Sequence, residues 1–227
     1  MLRLPFMTSK PENSVQLLRH FMVDLETTSK SADASIVSIA AVPFSPEAGI
    51  VSDPPDCLYL RVHWSSGAQP GRYVDSETMK WWQGLGGLPL AELRSPSRVL
   101  LKEALQRLRA FLSSRGTVEP VSPPIVWAAP VSFDLPILSH AYAQESSSAR
   151  HWPPYWTEAS PWERGNERDV RTILEAVRFV RGDAAADVLA QQSKDAAGDK
   201  AHHALYDAIA QADVVVAAVL ALKEAPQ

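Results

Sequence analysis

Four carboxylates and an adjacent pair of histidines are the residues of this chain best placed to do chemistry. Asp24 and Glu26 stand two apart in His-Phe-Met-Val-Asp-Leu-Glu-Thr-Thr, residues 20–28. On a strand, side chains at i and i+2 share a face, so both carboxylates point one way with Val23 and Leu25 opposite. Two carboxylates so placed repel each other unless a cation lies between them. Taken alone, such a pair is better read as the polar face of an edge strand. Asp134 follows a short apolar run and opens a helix in Ser-Phe-Asp-Leu-Pro-Ile-Leu. The helix macrodipole by itself favours a carboxylate there. Asp207 sits in His-His-Ala-Leu-Tyr-Asp-Ala-Ile-Ala-Gln-Ala, where burial among small apolar residues is costly unless the charge is paired or metal-bound. Hard divalent cations prefer such oxygen ligands, which leaves the single cysteine, Cys57, irrelevant to them. His202 and His203 together suggest zinc, but no third soft ligand lies at suitable spacing, and zinc is set aside.

The spacing of the histidines matters. In a regular helix at about 100° per residue, positions five apart lie about 140° around the axis, so His202 and Asp207 cannot share a face. His202 must then sit at or before the helix start, where the chain can fold it over the carboxylates. The lead-in Gly198-Asp199-Lys200 suits a mobile loop of that kind. Of the two, spacing favours His202 over His203, four before Asp207, as the one that meets the carboxylates, and two solvated helix-cap histidines are the plain alternative.

The elements that must position these groups follow from the pattern of the chain. With 227 residues and 46% hydrophobic content, one core and one domain are expected over residues 19–227, after a loose polar lead-in at 1–18 in which Met7 offers a second start. A net charge of −4 argues against a protein that coats nucleic acid by electrostatics alone. One cysteine excludes an internal disulfide. No signal-peptide core is seen at the N-terminus, and no run approaches the roughly 20 apolar residues of a membrane span, so a cytoplasmic location is expected.

Strands are predicted at His20–Leu25, Ala34–Phe44 and Cys57–His63, joined by short linkers as an antiparallel meander. A short helix is predicted at Ser76–Gln83, and a long one at Ser95–Leu112, where Leu101, Leu105, Leu108 and Leu112 recur at i, i+4, i+7 and i+11. Ile125–Trp127 reads as a buried strand and Asp134–Ala143 as a helix with Pro136 in its first turn. His151–Trp162 reads as an ordered loop. Helices follow at Asp169–Val180, Ala184–Gln192 and His203–Leu222, the last burying Leu205, Ile209, Ala212, Val216, Val219 and Leu220. The order predicts an α/β fold with a mixed sheet flanked by helices.

Asp-x-Glu ending the first strand, an Asp at a central helix start, and His-x-x-x-x-Asp on a C-terminal helix together resemble the DEDDh family of 3′→5′ exonucleases, of ribonuclease H-like fold. The resemblance covers nearly all of Phe21 to Leu222. Val-Asp-Leu-Glu-Thr-Thr (23–28), Glu-Thr-Met-Lys-Trp-Trp (77–82) and Arg-Asp-Val-Arg-Thr-Ile-Leu (168–174) look like a narrower group, the phage-type and mycobacterial-type exoribonuclease relatives.

That resemblance implies a phosphodiester hydrolase using two divalent cations, magnesium or manganese. Asp24, Glu26 and Asp207 would share the first ion, Asp24 would hold the second, and Asp134 would complete the cluster. His202 would act as general base, while His203 occupies the place where a sister subfamily has its Tyr. Two cations about 3.5–4 Å apart can hold the attacking and leaving oxygens of an in-line displacement. The expected substrate is the 3′ end of RNA, of single-stranded DNA or of both, and nucleoside 5′-monophosphates leave.

The family also implies a homodimer, and backbone groups of Thr27 and Thr28 at the terminal 3′-hydroxyl, where simple turn chemistry serves equally. Phe133 either stacks on a base or packs in the core. Trp81 and Trp82 read as core or dimer contacts. Arg164, Arg168, Arg171, Arg178 and Arg181 read as a solvated face, with a phosphate or ion-pair role open to Arg168 and Arg171. Ala128-Ala129-Pro130-Val131-Ser132 replaces an Asn- or Gly-rich segment of many relatives, which implies a missing substrate contact. The rival reading is a catalytically silent nucleic-acid-binding or dimerisation module on the same fold. An endonuclease of the same superfamily, which would cut circular substrates, is a third.

Overall fold

A computed structural model of the chain describes residues 18–114, 123–146 and 160–224. Most of the expected lead-in and most of the Trp- and Pro-rich segment at His151–Trp162 lie outside these residues. Within them the strands are β1 (His20–Thr27), β2 (Ile36–Ser45), β3 (Ile50–Val51), β4 (Leu58–Arg61), β5 (Ile125–Ala128) and β6 (Glu167–Asp169). The helices are α1 (Ser76–Leu85), α2 (Gly87–Arg94), α3 (Leu101–Ser114), α4 (Val131–Glu145), α5 (Val170–Arg181), α6 (Asp183–Ala197) and α7 (Ala204–Lys223).

The strands form one mixed sheet in the order β3-β2-β1-β5-β6, with β4 also paired to β2. Pairings among β1 to β4 are antiparallel, while β1–β5 and β5–β6 are parallel. β1 is therefore a central strand rather than an edge. The antiparallel opening is as expected, with β3 inserted into the second linker.

Period two sorts β1 onto two cores. Phe21, Val23 and Leu25 face a layer built by α3 and α4, where the four leucines expected on α3 are all buried. Met22 faces the opposite layer, built largely by α7 and α5. Asp24 and Glu26 share the parity of Met22, so they point toward α7.

Several expectations need correction. The helix predicted from Ser95 begins at Leu101. Residues just before it run extended instead: Val99 bridges Val62, and Arg98 donates to the carbonyls of Val37, Val62 and Leu93. α4 starts three residues before Asp134, which puts Pro136 in the second turn rather than the first. The third strand shrinks to four residues, and α2 went unpredicted because its sequence lacks an amphipathic period. Leu220, expected on the buried side of α7, is 38% exposed. Against expectation, α7 is long and apolar enough to cross a membrane by length and composition. Here it is a core helix, packed on β1, β2, α5 and α6.

Candidate metal centre and substrate groove

The site forms where β5 leaves β1. Their pairing covers only His20 to Met22, after which β5 ends and the chain turns into α4. Beyond that point the partner of β1 is a side chain: Leu25 N–H donates to Asp134 Oδ1 at 3.0 Å. From the other side comes α7, where Asp207 and Gln211 lie one turn apart on one face. Gln211 Nε2 donates to Asp24 Oδ1 at 2.9 Å. Ligand atoms of Glu26, His202 and Asp207 all lie within 4.8 Å of one another.

The four carboxylates form one electrostatic unit. Burial, then the charges of Asp134, Glu26 and Asp207, push the Asp24 carboxyl well above the usual carboxylate range, against the opposing Gln211 hydrogen bond. Burial, then Asp207 and Asp134, do the same to Glu26. Burial raises Asp134 to about 7 despite the Leu25 hydrogen bond. Asp207 is raised by burial, opposed by the N–H of His202. Such groups share protons, so their titration belongs to the cluster rather than to each residue.

These features fit divalent cations. Asp134 is 1% exposed and its Oδ2 has no hydrogen-bond partner, a costly arrangement unless a cation or proton meets it. Asp24 is 9% exposed with like charges around it. The donors are carboxylate oxygens with one imidazole at the rim, a hard set suited to magnesium or manganese.

The two histidines part company. His202 lies in the turn before α7 with a φ of 64°, and its N–H donates to Asp207 Oδ2 at 2.8 Å. Its exposed ring meets Trp81 edge-on at 4.9 Å. His203 caps the N-terminus of α7 and is buried against Tyr59, away from the carboxylates.

A groove of about 930 Å³ opens beside the cluster, lined by Glu26, Thr27, Lys30, Trp81, Phe133 and Arg171 among others. Phe133 and Thr27 are thus brought to the groove. Thr28 is not: its hydroxyl donates to Tyr73 and Ser35 carbonyls, its N–H to Ser35, and its carbonyl accepts from Asp75. The tryptophans divide. Trp82 is core, donating Nε1–H to Thr27 O at 2.9 Å. Trp81 is 46% exposed and walls the groove, so it is not the core residue that was one of its two readings.

Of the arginines singled out in the sequence, Arg171 lines the groove. Arg168 bonds the carbonyls of Gly165 and Glu167, Arg178 pairs with Glu175, Asp183 and Asp187, and Arg181 holds the carbonyl of Ala221. Asp169 ties two helix starts together, accepting from Arg171 N and Val131 N. Gln211 was missed in the sequence; a lone amide one turn after Asp207 in an apolar helix was its available signal.

Residues 19–219 match the family described as the 3′-5′ exoribonuclease Rv2179c-like domain. The chain belongs to that family. Among solved structures it is similar to the RNase domain of the yeast Pop2 protein, at 10% identity over 92% of this chain and 78% of that one, with a TM-score of 0.54. The fold is the ribonuclease H-like one expected from the sequence. No curated protein matches significantly. Membership makes the chain a 3′-5′ nuclease-type domain of a divalent-metal-dependent kind.

Proposed function

We propose that this chain is a DEDDh-type 3′→5′ exonuclease that removes nucleoside 5′-monophosphates from the 3′ ends of RNA, single-stranded DNA or both. The observation that carries this reading is the convergence of Asp24, Glu26, Asp134 and Asp207 from β1, α4 and α7, with His202 beside Glu26 and Asp207. Asp24, Glu26 and Asp207 would hold one divalent ion, Asp24 would also serve a second, and Asp134 would complete the cluster from beyond the end of β5. When bound, the two ions, magnesium or manganese, supply an acidified water and charge for the leaving 3′ oxygen.

The chain's own groups do the rest. His202, solvent-facing and held edge-on by Trp81, takes the proton of the attacking water at a ring nitrogen. Phe133 offers its face to the terminal base, and Arg171 offers its guanidinium to a phosphate at the groove edge. Thr27 contributes groove surface; Thr28 acts as a structural tie. The working unit spans residues 19–227, and a homodimer is carried over from the narrower group.

The test is an end-labelled strand incubated with magnesium or manganese, in parallel as RNA, DNA and a duplex with a 3′ overhang. Stepwise shortening that is abolished by Asp24→Ala is expected. A strand of unchanged length on all three substrates, or undiminished turnover by Asp24→Ala, contradicts the reading.

A further inference from the structure

We propose that His203 is a positioning residue, whose buried ring anchors the turn between α6 and α7 and so holds His202 over Glu26 and Asp207. The inference rests on the reading of His202 as proton acceptor. His202 is exposed and its backbone lies at a φ of 64°, a region that L side chains rarely adopt. Its own N–H bond to Asp207 does not fix the turn that precedes α7. The neighbouring residue does.

His203 is 5% exposed. Its ring stacks on Tyr59 at 4.5 Å with 25° between planes, and lies 4.8 Å from the ring of Tyr206. Lys200, within the same turn, sits 4.1 Å over that Tyr206 ring. The neighbouring carboxylate is not the anchor. His203 Nε2 is 3.7 Å from Glu92 Oε1, beyond hydrogen-bond reach. Both Glu92 oxygens are already engaged by Arg61, at 2.5 and 2.7 Å, and the Tyr59 hydroxyl donates to one of them. His203 Nδ1 is buried without a partner. Packing of the ring, not an ion pair, therefore carries the contact.

Sheet register explains why this anchor serves the site. Asp24 pairs with Ala40, which pairs with Tyr59; Glu26 pairs with Ser38, which pairs with Arg61. Side chains in one such row share a face, so Tyr59 and Arg61 stand on the face of Asp24 and Glu26, two strands away, at about 10 Å. Two consecutive histidines thus reach two points of one rigid surface. His203 grips the row end on β4, and His202 is left over the carboxylates on β1.

The test uses the full-length protein and a 5′-labelled single-stranded RNA oligonucleotide with magnesium, reading kcat and KM, together with hydrogen exchange at the His202 amide. His203→Ala is expected to lower kcat about 10- to 100-fold with KM near the wild-type value, the loss typical of a misplaced catalytic group. The same variant should speed exchange at His202 while amides in the middle of α7 stay protected. His203→Phe, which keeps the stack on Tyr59, should recover most of kcat and of the protection. Should His203→Ala be too unstable to assay, His203→Gln decides on the same readouts and is expected to behave as Ala does. Wild-type kcat in the Ala or Gln variant overturns the inference, as does a kcat loss with unchanged His202 exchange, or a Phe variant no better than Ala. If His202→Ala itself leaves hydrolysis intact, the reading of the site has failed instead, and the exchange measurement still decides the anchoring.

Discussion

Gln211 on α7 donates its amide to Asp24 on β1, one helical turn beyond Asp207. One face of one helix thus supplies both a carboxylate for the cluster and the hydrogen bond that orients a second. Outer partners of this kind tune metal affinity by fixing their ligand's orientation. Gln211→Ala is expected to weaken manganese binding about 10- to 100-fold, read by calorimetric titration of the folded protein. Affinity equal to wild type would show that Asp24 is held by the strand alone.

Acidity gives a second prediction. All four carboxylates are raised, so the folded cluster binds more protons than the unfolded chain. Stability from this source is fully present below the unfolded carboxylate range, about pH 4, and is lost as pH rises through the raised values. For Asp134 that value is about 7. The melting temperature of chelator-treated protein should therefore fall between about pH 5 and pH 8, and manganese should raise it more at the higher pH, where the ligands are ionised. An equal manganese increment at both pH values would show that the raised carboxylates do not bind the metal.

Trp81 is the groove wall that also touches His202. Its replacement by Ala removes a ring support and a stacking surface worth about 1–3 kcal/mol per base. A fall in kcat/KM of about 10-fold or more is expected, with little change in melting temperature because the side chain is half exposed. A loss of stability without loss of kcat/KM would return Trp81 to the structural role first assigned to it.

Arg171 and Arg178 make a matched pair on α5. Arg171 lines the groove, whereas Arg178 is tied to Glu175, Asp183 and Asp187. Arg171→Ala should raise KM and lower the salt slope of substrate binding by about one, the signature of a lost phosphate contact. Arg178→Ala should do neither. Equal behaviour of the two variants in a salt titration would remove Arg171 from the substrate path.

Thr28 separates stability from chemistry. Its buried hydroxyl satisfies the Tyr73 carbonyl at 3.0 Å and approaches that of Ser35 at 3.3 Å. Thr28→Val keeps the shape and loses these bonds, costing about 1–3 kcal/mol in denaturant unfolding. Below its melting range the variant should hydrolyse at the wild-type rate; a selective kcat loss would restore Thr28 to the substrate contacts.

The four carboxylates are grouped by their order along the chain and its resemblance to the DEDDh pattern, since each taken singly has an ordinary structural explanation. Asp24 and Glu26 close an apolar strand, Asp134 lies in the first turn of α4, and Asp207 interrupts an apolar helix. The helical angle also placed His202 before the start of α7, where it lies, but said nothing of the burial of His203 against Tyr59. What stayed hidden depends on register and layer. The chain order already implied that β1 is a buried, central strand; that β5 pairs with it over only three residues and then departs is what no single stretch announces. Trp81 and Trp82 are indistinguishable in sequence, yet Trp82 is buried with its N–H on Thr27 while Trp81 stands half exposed at the groove. The helix overrun at Ser95 came from a leucine period that says nothing about where Arg98 spends its donors.

On the proposed reading, His202 takes a proton from water within an acidic metal cluster. The most direct test of that role is release of nucleoside 5′-monophosphate from an end-labelled single-stranded RNA, comparing wild type with His202→Ala, both saturated with manganese and both shown to be folded. A stepwise ladder is expected from the wild type, and a rate about 10²- to 10⁴-fold lower from the variant, with manganese still bound. A variant rate equal to wild type would contradict that role.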